Sequence, residues 1–428
     1  MTAAYLNNPT LLGQRARVRA ADEQVPQALS NWRPSINLSG SVSRAITTNT
    51  ARVFGGKDQI RTPRGGELQI SQSLFRGGRT LAATRKAENT IKAERARLAQ
   101  TEQSVLLQAA TAFLNVFRDE AVLKLNINNE QVLKSQLEAT RARFDVGEIT
   151  RTDVHQAEAR LAGATADRIG AEGDLKVSRA AYQNVVGMPA PNNLKLSVQL
   201  PGQPSSQEKA KKAAAVNNPA VVAAEFDKMA LQDNVDEVRG ELLPSLDFNF
   251  TISRDFETAS NTNISQEESV TATVTVPLYQ QGEVFSRLRE AKEAVAERRQ
   301  VIDQARRNAV EDATRTWETL VSARARVKSL KAQINANVVA LDGVEREAQV
   351  GFRTVLDVLD AEQELLDSRV AHVRAQLDEL VAVFELQAAI GKLTAKGLKL
   401  KAAIYDPEDH YRKVRDKWFG ATGSGGAD

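Results

Sequence analysis

The side chains best placed to act together are Asp357 and Asp360. They stand three residues apart in a helical pattern, so both carboxylates fall on one helix face. Asp153 and Asp357 also open helices, where the macrodipole favours an acid. Other reactive constellations are absent from the pattern. His155, His372 and His410 are the only histidines, and none forms a pair with metal-ligand spacing. Gly55-Gly56 and Gly77-Gly78 lack the strand–loop–helix context of a phosphate loop. No nucleophile is paired with a base. With no cysteine in the chain, a disulfide framework and a thiolate metal site are excluded. The chain is expected not to be an enzyme and to need no metal or cofactor.

The elements that position these acids are written twice. Asn7-Asn8-Pro9 returns 210 residues later as Asn217-Asn218-Pro219, and Pro34-Ser35 as Pro244-Ser245. From Ser73-Leu74-Phe75 and Gly78 onward the offset is 204: Pro277-Leu278-Tyr279 with Gly282, Val350-Gly351, Leu356-Asp357-Val358, Ala361-Glu362 and Gly391. The six-residue difference arises between Pro34 and Gly78, an interval expected to contain an exposed loop.

Each copy reads helix, strand, strand, helix, helix. The first spans residues 1–187. A helix from about Ala3 to Leu29 stops before Pro34. Strands follow at about 35–46 and 66–75, where Ile36, Leu38 and Val42 alternate with Ser35, Asn37, Ser39 and Ser41. Thr47 to Gly66 reads mostly as loop. A long helix covers 78–145, a tip 146–151 and a second helix 152–187. A proline-containing linker covers 188–211. The second copy, 212–391, has strands at about 245–256 and 268–279, a long helix 282–349, a tip 350–354 and a helix 355–391. Residues 392–428 belong to neither copy and end in a glycine-rich tail expected to be disordered.

Composition agrees with long helices. Lys plus Arg number 57 and Asp plus Glu 54, interspersed, which excludes a nucleic-acid footprint. No apolar run reaches the length of a membrane helix. The chain opens Met-Thr-Ala-Ala-Tyr inside the first repeat, as expected of a protein whose leader has been removed.

The four strands decide the class. Each has one apolar and one small polar face, the pattern of a membrane barrel with lipid outside and water inside. Phe75, Tyr279 and Trp32 fall near strand ends, where aromatic residues mark a membrane boundary. Four strands cannot close, and an open edge in lipid leaves backbone groups unpaired. Several chains are therefore expected to share one barrel, with the helices continuing on one side. The competing reading is a soluble coiled-coil scaffold or adaptor.

The motifs resemble the TolC family of outer-membrane efflux proteins. Val146-Gly147-Glu148-Ile149-Thr150-Arg151-Thr152-Asp153-Val154 is similar to the first tip motif of that family. The run from Val350 to Asp360 is similar to the second. The resemblance covers about residues 3 to 391. It implies a mainly α fold with a small β part: a homotrimer with a twelve-stranded outer-membrane barrel continuous with a long periplasmic helical barrel, and an equatorial collar formed by the linker 188–211 and the C-terminal segment 392–428. It also implies an exit duct for drugs, toxic compounds or proteins. The partners implied are outer-membrane lipids, a periplasmic adaptor and an inner-membrane pump of the RND or ABC type.

By the same resemblance Asp357 and Asp360 form acidic rings at the pore entrance. Arg353 is a gate arginine tethered to Thr152 and Asp153 of a neighbouring chain. Val146, Gly147, Val350, Gly351 and Thr354 form tips that meet the adaptor. The archetype carries a tyrosine where this chain has Ala348, which leaves more of closure to Arg353. The first copy has Ile149, Asp153 and Gln156 where the second has Arg353, Asp357 and Asp360.

Overall fold

A computed structural model describes residues 1–47, 59–191 and 202–420. The middle of the expected outer loop, part of the linker and the end of the glycine-rich tail lie outside the described residues. The chain divides into two compact units that cut across the sequence repeats. One comprises Met1–Ala16, Ala96–Val222 and Asp303–Tyr405, and the other Arg17–Arg95, Ala223–Ile302 and Asp406–Asp428.

The second of these units holds every described strand. β1 (Ser35–Val42), β4 (Arg64–Arg76), β5 (Ser245–Phe256) and β6 (Ile264–Thr275) form one antiparallel sheet in the order β1-β4-β5-β6. β2 (Ala45–Thr47) and β3 (Gln59–Arg61) form a separate short ribbon. The expected strand over 35–46 thus stops at Val42, and the expected loop contains β3 and the start of β4. The expected strand over 268–279 runs four residues earlier, over 264–275. Pro277 has no N–H to donate to a ladder, so pairing ends before it, while Ser265 to Glu268 pair with β5.

Register turns strand alternation into two chemically distinct faces. Ile36, Ile70, Phe250 and Val270 lie abreast in one row, and Leu38, Leu68 and Ile252 in another. The opposite face carries Ser35, Ser71, Asn249 and Thr271, then Asn37, Gln69, Thr251 and Ser269. A register shift between Ser73 and Phe75 returns Phe75 to the apolar side, level with Leu246 and Val274. Ile36 (64%), Leu38 (83%) and Val270 (67%) are largely exposed, so among the described residues this face has no covering layer. β1 and β6 are the sheet's two edges.

At the sheet base the backbone of Gly77 (φ 61°) passes close to Gly240. A Cβ on Gly77 would lie 2.2 Å from the Gly240 carbonyl oxygen, so both positions need the smallest residue.

The helices supply the rest. The expected N-terminal helix is three: α1 (Thr2–Asn7), α2 (Pro9–Asp22) and α3 (Gln24–Leu29), followed by a 3₁₀ turn over Ser30–Trp32. The break comes at Asn8-Pro9, because proline cannot donate within a helix and favours its first turn. α4 (Arg79–Asp145) and α8 (Glu283–Gln349) each run 67 residues, roughly 100 Å at 1.5 Å per residue. α5 (Arg151–Val186) and α9 (Val355–Ala389) follow the tips. α6 (Gln207–Asn217) and α7 (Pro219–Gly240) open the second copy, and α10 (Asp409–Val414) closes the described chain. Among the described residues no helix is long and apolar enough to cross a membrane.

The repeated Asn-Pro motif has a clear physical task. The Asn8 side chain accepts from the Thr10 N–H (3.0 Å) and donates to the Val185 carbonyl at the end of α5 (2.9 Å). Asn218 does the same for Ala220 (2.9 Å) and Ala389 at the end of α9 (3.2 Å). One amide thus caps α2 in the first copy and α7 in the second, and ties each to the last helix of its copy.

The two faces of the sheet give a direct test. Phe250→Arg, at the centre of the apolar rows, is expected to destabilise the protein in a phospholipid bilayer by about 2–4 kcal/mol. Asn249→Arg on the opposite face should cost far less. Urea unfolding in vesicles measures both, and equal losses would refute the assignment of faces.

Candidate functional site: the two helix tips

Both long helices end in the same way. Gly147 (φ 79°) donates to the Phe144 carbonyl at 2.9 Å, and Glu148 to Arg143 at 2.9 Å. Gly351 (φ 83°) donates to Ala348 at 3.2 Å, and Phe352 to Glu347 at 2.9 Å. These are paired Schellman bonds closing over a left-handed residue, which explains glycine at both tips. Ala348 contributes its carbonyl to that closure. Val146 (72%), Val350 (68%) and Phe352 (84%) project into solvent.

The helices that follow begin in matching capping boxes. Thr150 accepts from the Asp153 N–H (3.4 Å), and Asp153 accepts from the Thr150 N–H (2.9 Å). Thr354 and Asp357 repeat this at 3.3 and 2.9 Å. Asp153 and Asp357 therefore act, within one chain, as acids at helix N-termini. The Thr354 backbone N–H, aided by its hydroxyl, holds the Asp357 carboxyl below the usual carboxylate range. Asp357 therefore carries its charge into mildly acidic conditions.

The remaining tip residues are dispersed within the chain. Thr152 is exposed, two residues from the Thr150 cap. Arg353 turns back on its own helix hairpin, donating from Nε to Glu347 at 2.9 Å. Asp360 is exposed and ion-paired with Arg160 of α5. That pair links the two copies, and no local pattern marks it because the partners are 200 residues apart. Beneath them Leu133, Leu137, Val154, Ala157, Ala164, Val355 and Leu359 form one apolar cluster joining α4, α5 and α9.

A second feature emerges when the copies are compared. In the first, Glu158 pairs with Arg141 at 2.7 Å and with His155 at 3.1 Å. The corresponding positions of the second copy, 204 residues on, are Glu362, Glu345 and Leu359. Both partners have been replaced, the arginine by an acid and the histidine by leucine. Glu362 is buried and its Oε2 has no hydrogen-bond partner. It lines a cavity of about 80 Å³ with Leu125, Asn129, Leu341 and Arg369. Burial, and then the charge of Glu345, push its carboxyl up to about 7.

An alternating sheet with an uncovered apolar face, joined to paired helices with glycine-closed tips, defines the channel class of outer-membrane efflux proteins. Residues 2–188 and 211–392 match the family model described as "Outer membrane efflux protein", and the chain belongs to that family. It is 35% identical over 422 residues to the outer membrane efflux protein BepC of Brucella suis biovar 1 (strain 1330), covering 98% of this chain and 90% of BepC. It is 27% identical to the outer membrane protein TolC of Vibrio cholerae serotype O1, covering 91% and 89% of the two chains. The crystal structure of the CusC transmembrane channel superposes with a TM-score of 0.80 at 18% identity, over 91% of this chain and 90% of that one. The fold is mainly helical with a small sheet. The protein is an exit duct in the outer membrane of a Gram-negative bacterium, with a periplasmic extension.

Two predictions follow from the tip geometry. Because Glu362 is raised from its ordinary value of 4.5 to about 7, its protonated form favours the folded state. That contribution is complete below the ordinary value and is lost as pH rises through about 7. Thermal stability followed by helical circular dichroism should fall between roughly pH 5 and pH 8. Glu362→Gln should flatten the slope, and Glu345→Arg, which restores the cation of the first copy, should flatten it too. A slope unchanged in both would remove Glu362 as its source. Separately, Arg160→Ala should raise proteolytic cleavage at the tips relative to the parent protein; identical cleavage would show that the Asp360 pair is dispensable.

Proposed function

We propose that three copies of this chain share one twelve-stranded barrel, each contributing β1, β4, β5 and β6, with a gate at the helix tips. The observation that carries this is the sheet itself: four strands with an exposed apolar face and two unpaired edges. Backbone groups in hydrocarbon have no water to bond, so β6 of one copy must meet β1 of the next until the ring closes. Antiparallel β1 and β6 permit that junction. The resemblance to TolC-family proteins supports three as the number.

In this reading the duct is passive. A periplasmic adaptor meets the exposed tips at Val146, Gly147, Val350, Gly351 and Thr354. An inner-membrane pump of the RND or ABC type supplies the energy and chooses the cargo, whether drugs, toxic compounds or proteins. Asp357 and Asp360, one helical turn apart, form two acidic rings around the entrance. Arg353 reaches Thr152 and Asp153 of a neighbouring copy. A guanidinium has five donors, so Arg353 can keep Glu347 while making that tie. Detachment of these ties opens the iris.

Planar-bilayer recording on the purified protein tests channel, selectivity and gate together. Asp357→Asn with Asp360→Asn is expected to weaken cation preference and block by polyvalent cations. Arg353→Ser is expected to raise single-channel conductance. Unchanged selectivity would dismiss the acidic rings, and unchanged conductance would move the gate elsewhere. A protein that stays soluble and monomeric without detergent would sink the duct altogether.

A further inference from the structure

The C-terminal segment is expected, by the family resemblance, to join an equatorial collar and to end in a flexible tail. In the structure it is fastened beside the sheet. α10 is held by His410, whose Nδ1 lies 3.2 Å from the fully buried carboxylate of Asp22. Val414 is buried, and the Tyr411 hydroxyl donates to Glu88 at 3.3 Å. The chain beyond α10 then reaches the sheet base. Arg33 Nη1 donates to the Lys417 carbonyl at 2.8 Å, and the Arg33 guanidinium covers the Trp418 ring at 4.8 Å. Arg33 is two residues from the start of β1. The carbonyl of its neighbour Trp32 accepts from Gln72 of β4 at 3.2 Å. Gln72 lies in the row of Phe248 and Ala272, on the apolar side of the sheet.

Trp418 and Phe419 are nevertheless 58% and 86% exposed. Their rings contact each other, with centroids 6.5 Å apart. Trp32, Phe75, Leu278 and Tyr279, all close to the same ends of the strands, are exposed as well. A fixed segment has no evident reason to display two adjacent large aromatic side chains to water. A bilayer surface supplies one. Tryptophan favours the headgroup zone because its ring is apolar and its indole N–H is polar. Arg33 and Lys417, beside it, suit lipid phosphates.

We propose that Lys417-Trp418-Phe419 is a membrane-docking element that seats in the phospholipid headgroup layer of the inner leaflet of the outer membrane. The occupant follows from continuity: the segment is bonded to residues at the foot of the sheet's apolar face, where the hydrocarbon ends. It would widen the aromatic boundary set by the strands and bind the C-terminal segment to the bilayer. The inference rests on the outer-membrane location and on no particular number of subunits.

The test uses the full chain in vesicles of phosphatidylethanolamine and phosphatidylglycerol. The chain has three tryptophans. Trp32→Phe with Trp317→Phe leaves Trp418 as the reporter. Lipids brominated near the headgroup end of their chains are expected to quench its emission by roughly half or more, while aqueous iodide has little effect. Quenching by iodide alone would place Trp418 in water and overturn the proposal. Protection from both would seat it against protein, such as a second copy, and overturn it equally. Conductance of the same vesicles reports the duct independently, so an open channel with an unquenched Trp418 refutes only the docking element. Should the double variant not insert, Phe419→Cys carrying a nitroxide serves instead, since the chain has no cysteine of its own. Greater accessibility to oxygen than to a water-soluble nickel chelate is expected, and the reverse would refute the docking.

Discussion

Backbone hydrogen bonding in a medium without water is the constraint on which this molecule turns. A peptide group in hydrocarbon has only other peptide groups for partners. The inner strands β4 and β5 meet that demand within the chain, and β1 and β6 meet it on one side only. Everything about the sheet follows. Its side chains divide by alternation into an apolar and a small polar face, the division that a strand between lipid and water requires. Its base is pinned by Gly77 against Gly240, where no side chain would fit. The helices obey a different rule. They are long, charged and alanine-rich, and bury only narrow seams, such as the cluster of Leu133, Val154 and Leu359.

The duplication shows which of these demands are shared and which are local. The Asn-Pro clamp, the Schellman closure and the Thr-x-x-Asp capping box occur in both copies with nearly the same distances. These are backbone solutions, and any helical hairpin of this length needs them. Side-chain pairs across the hairpin have diverged. Arg141 with Glu158 became Glu345 with Glu362, so a surface ion pair in one copy is a buried, unpartnered acid in the other. An ion pair near the surface contributes little to stability, which makes it free to change.

Much of this was legible in the sequence, and the reason differs by element. The period of two in β1, β4, β5 and β6 could be read directly, since each strand records its two environments residue by residue. The tips were visible because glycine at positive φ and a capping threonine are chemically specific. Strand ends were harder: Ser265 to Glu268 read as a polar acidic loop, yet they pair with β5, because backbone pairing does not require apolar side chains. The break at Asn8 is marked only by the proline that follows it, which is also tolerated in the first turn of a helix. Arg160 with Asp360, and His410 with Asp22, could not be read at all. Both join residues about 200 or more apart, and nothing local marks them.

The exposed edge and face of the sheet have a meaning for the chain before it reaches its membrane. All eight residues of β1 are exposed, and its outward hydrogen-bonding groups form an open template beside a bare apolar surface. Such an edge accepts any extended peptide, including another copy in the wrong register. An open edge beside a bare apolar face is therefore an aggregation hazard in water. The vulnerable period of a chain with such an edge is the interval before the edge is paired and the apolar face is covered.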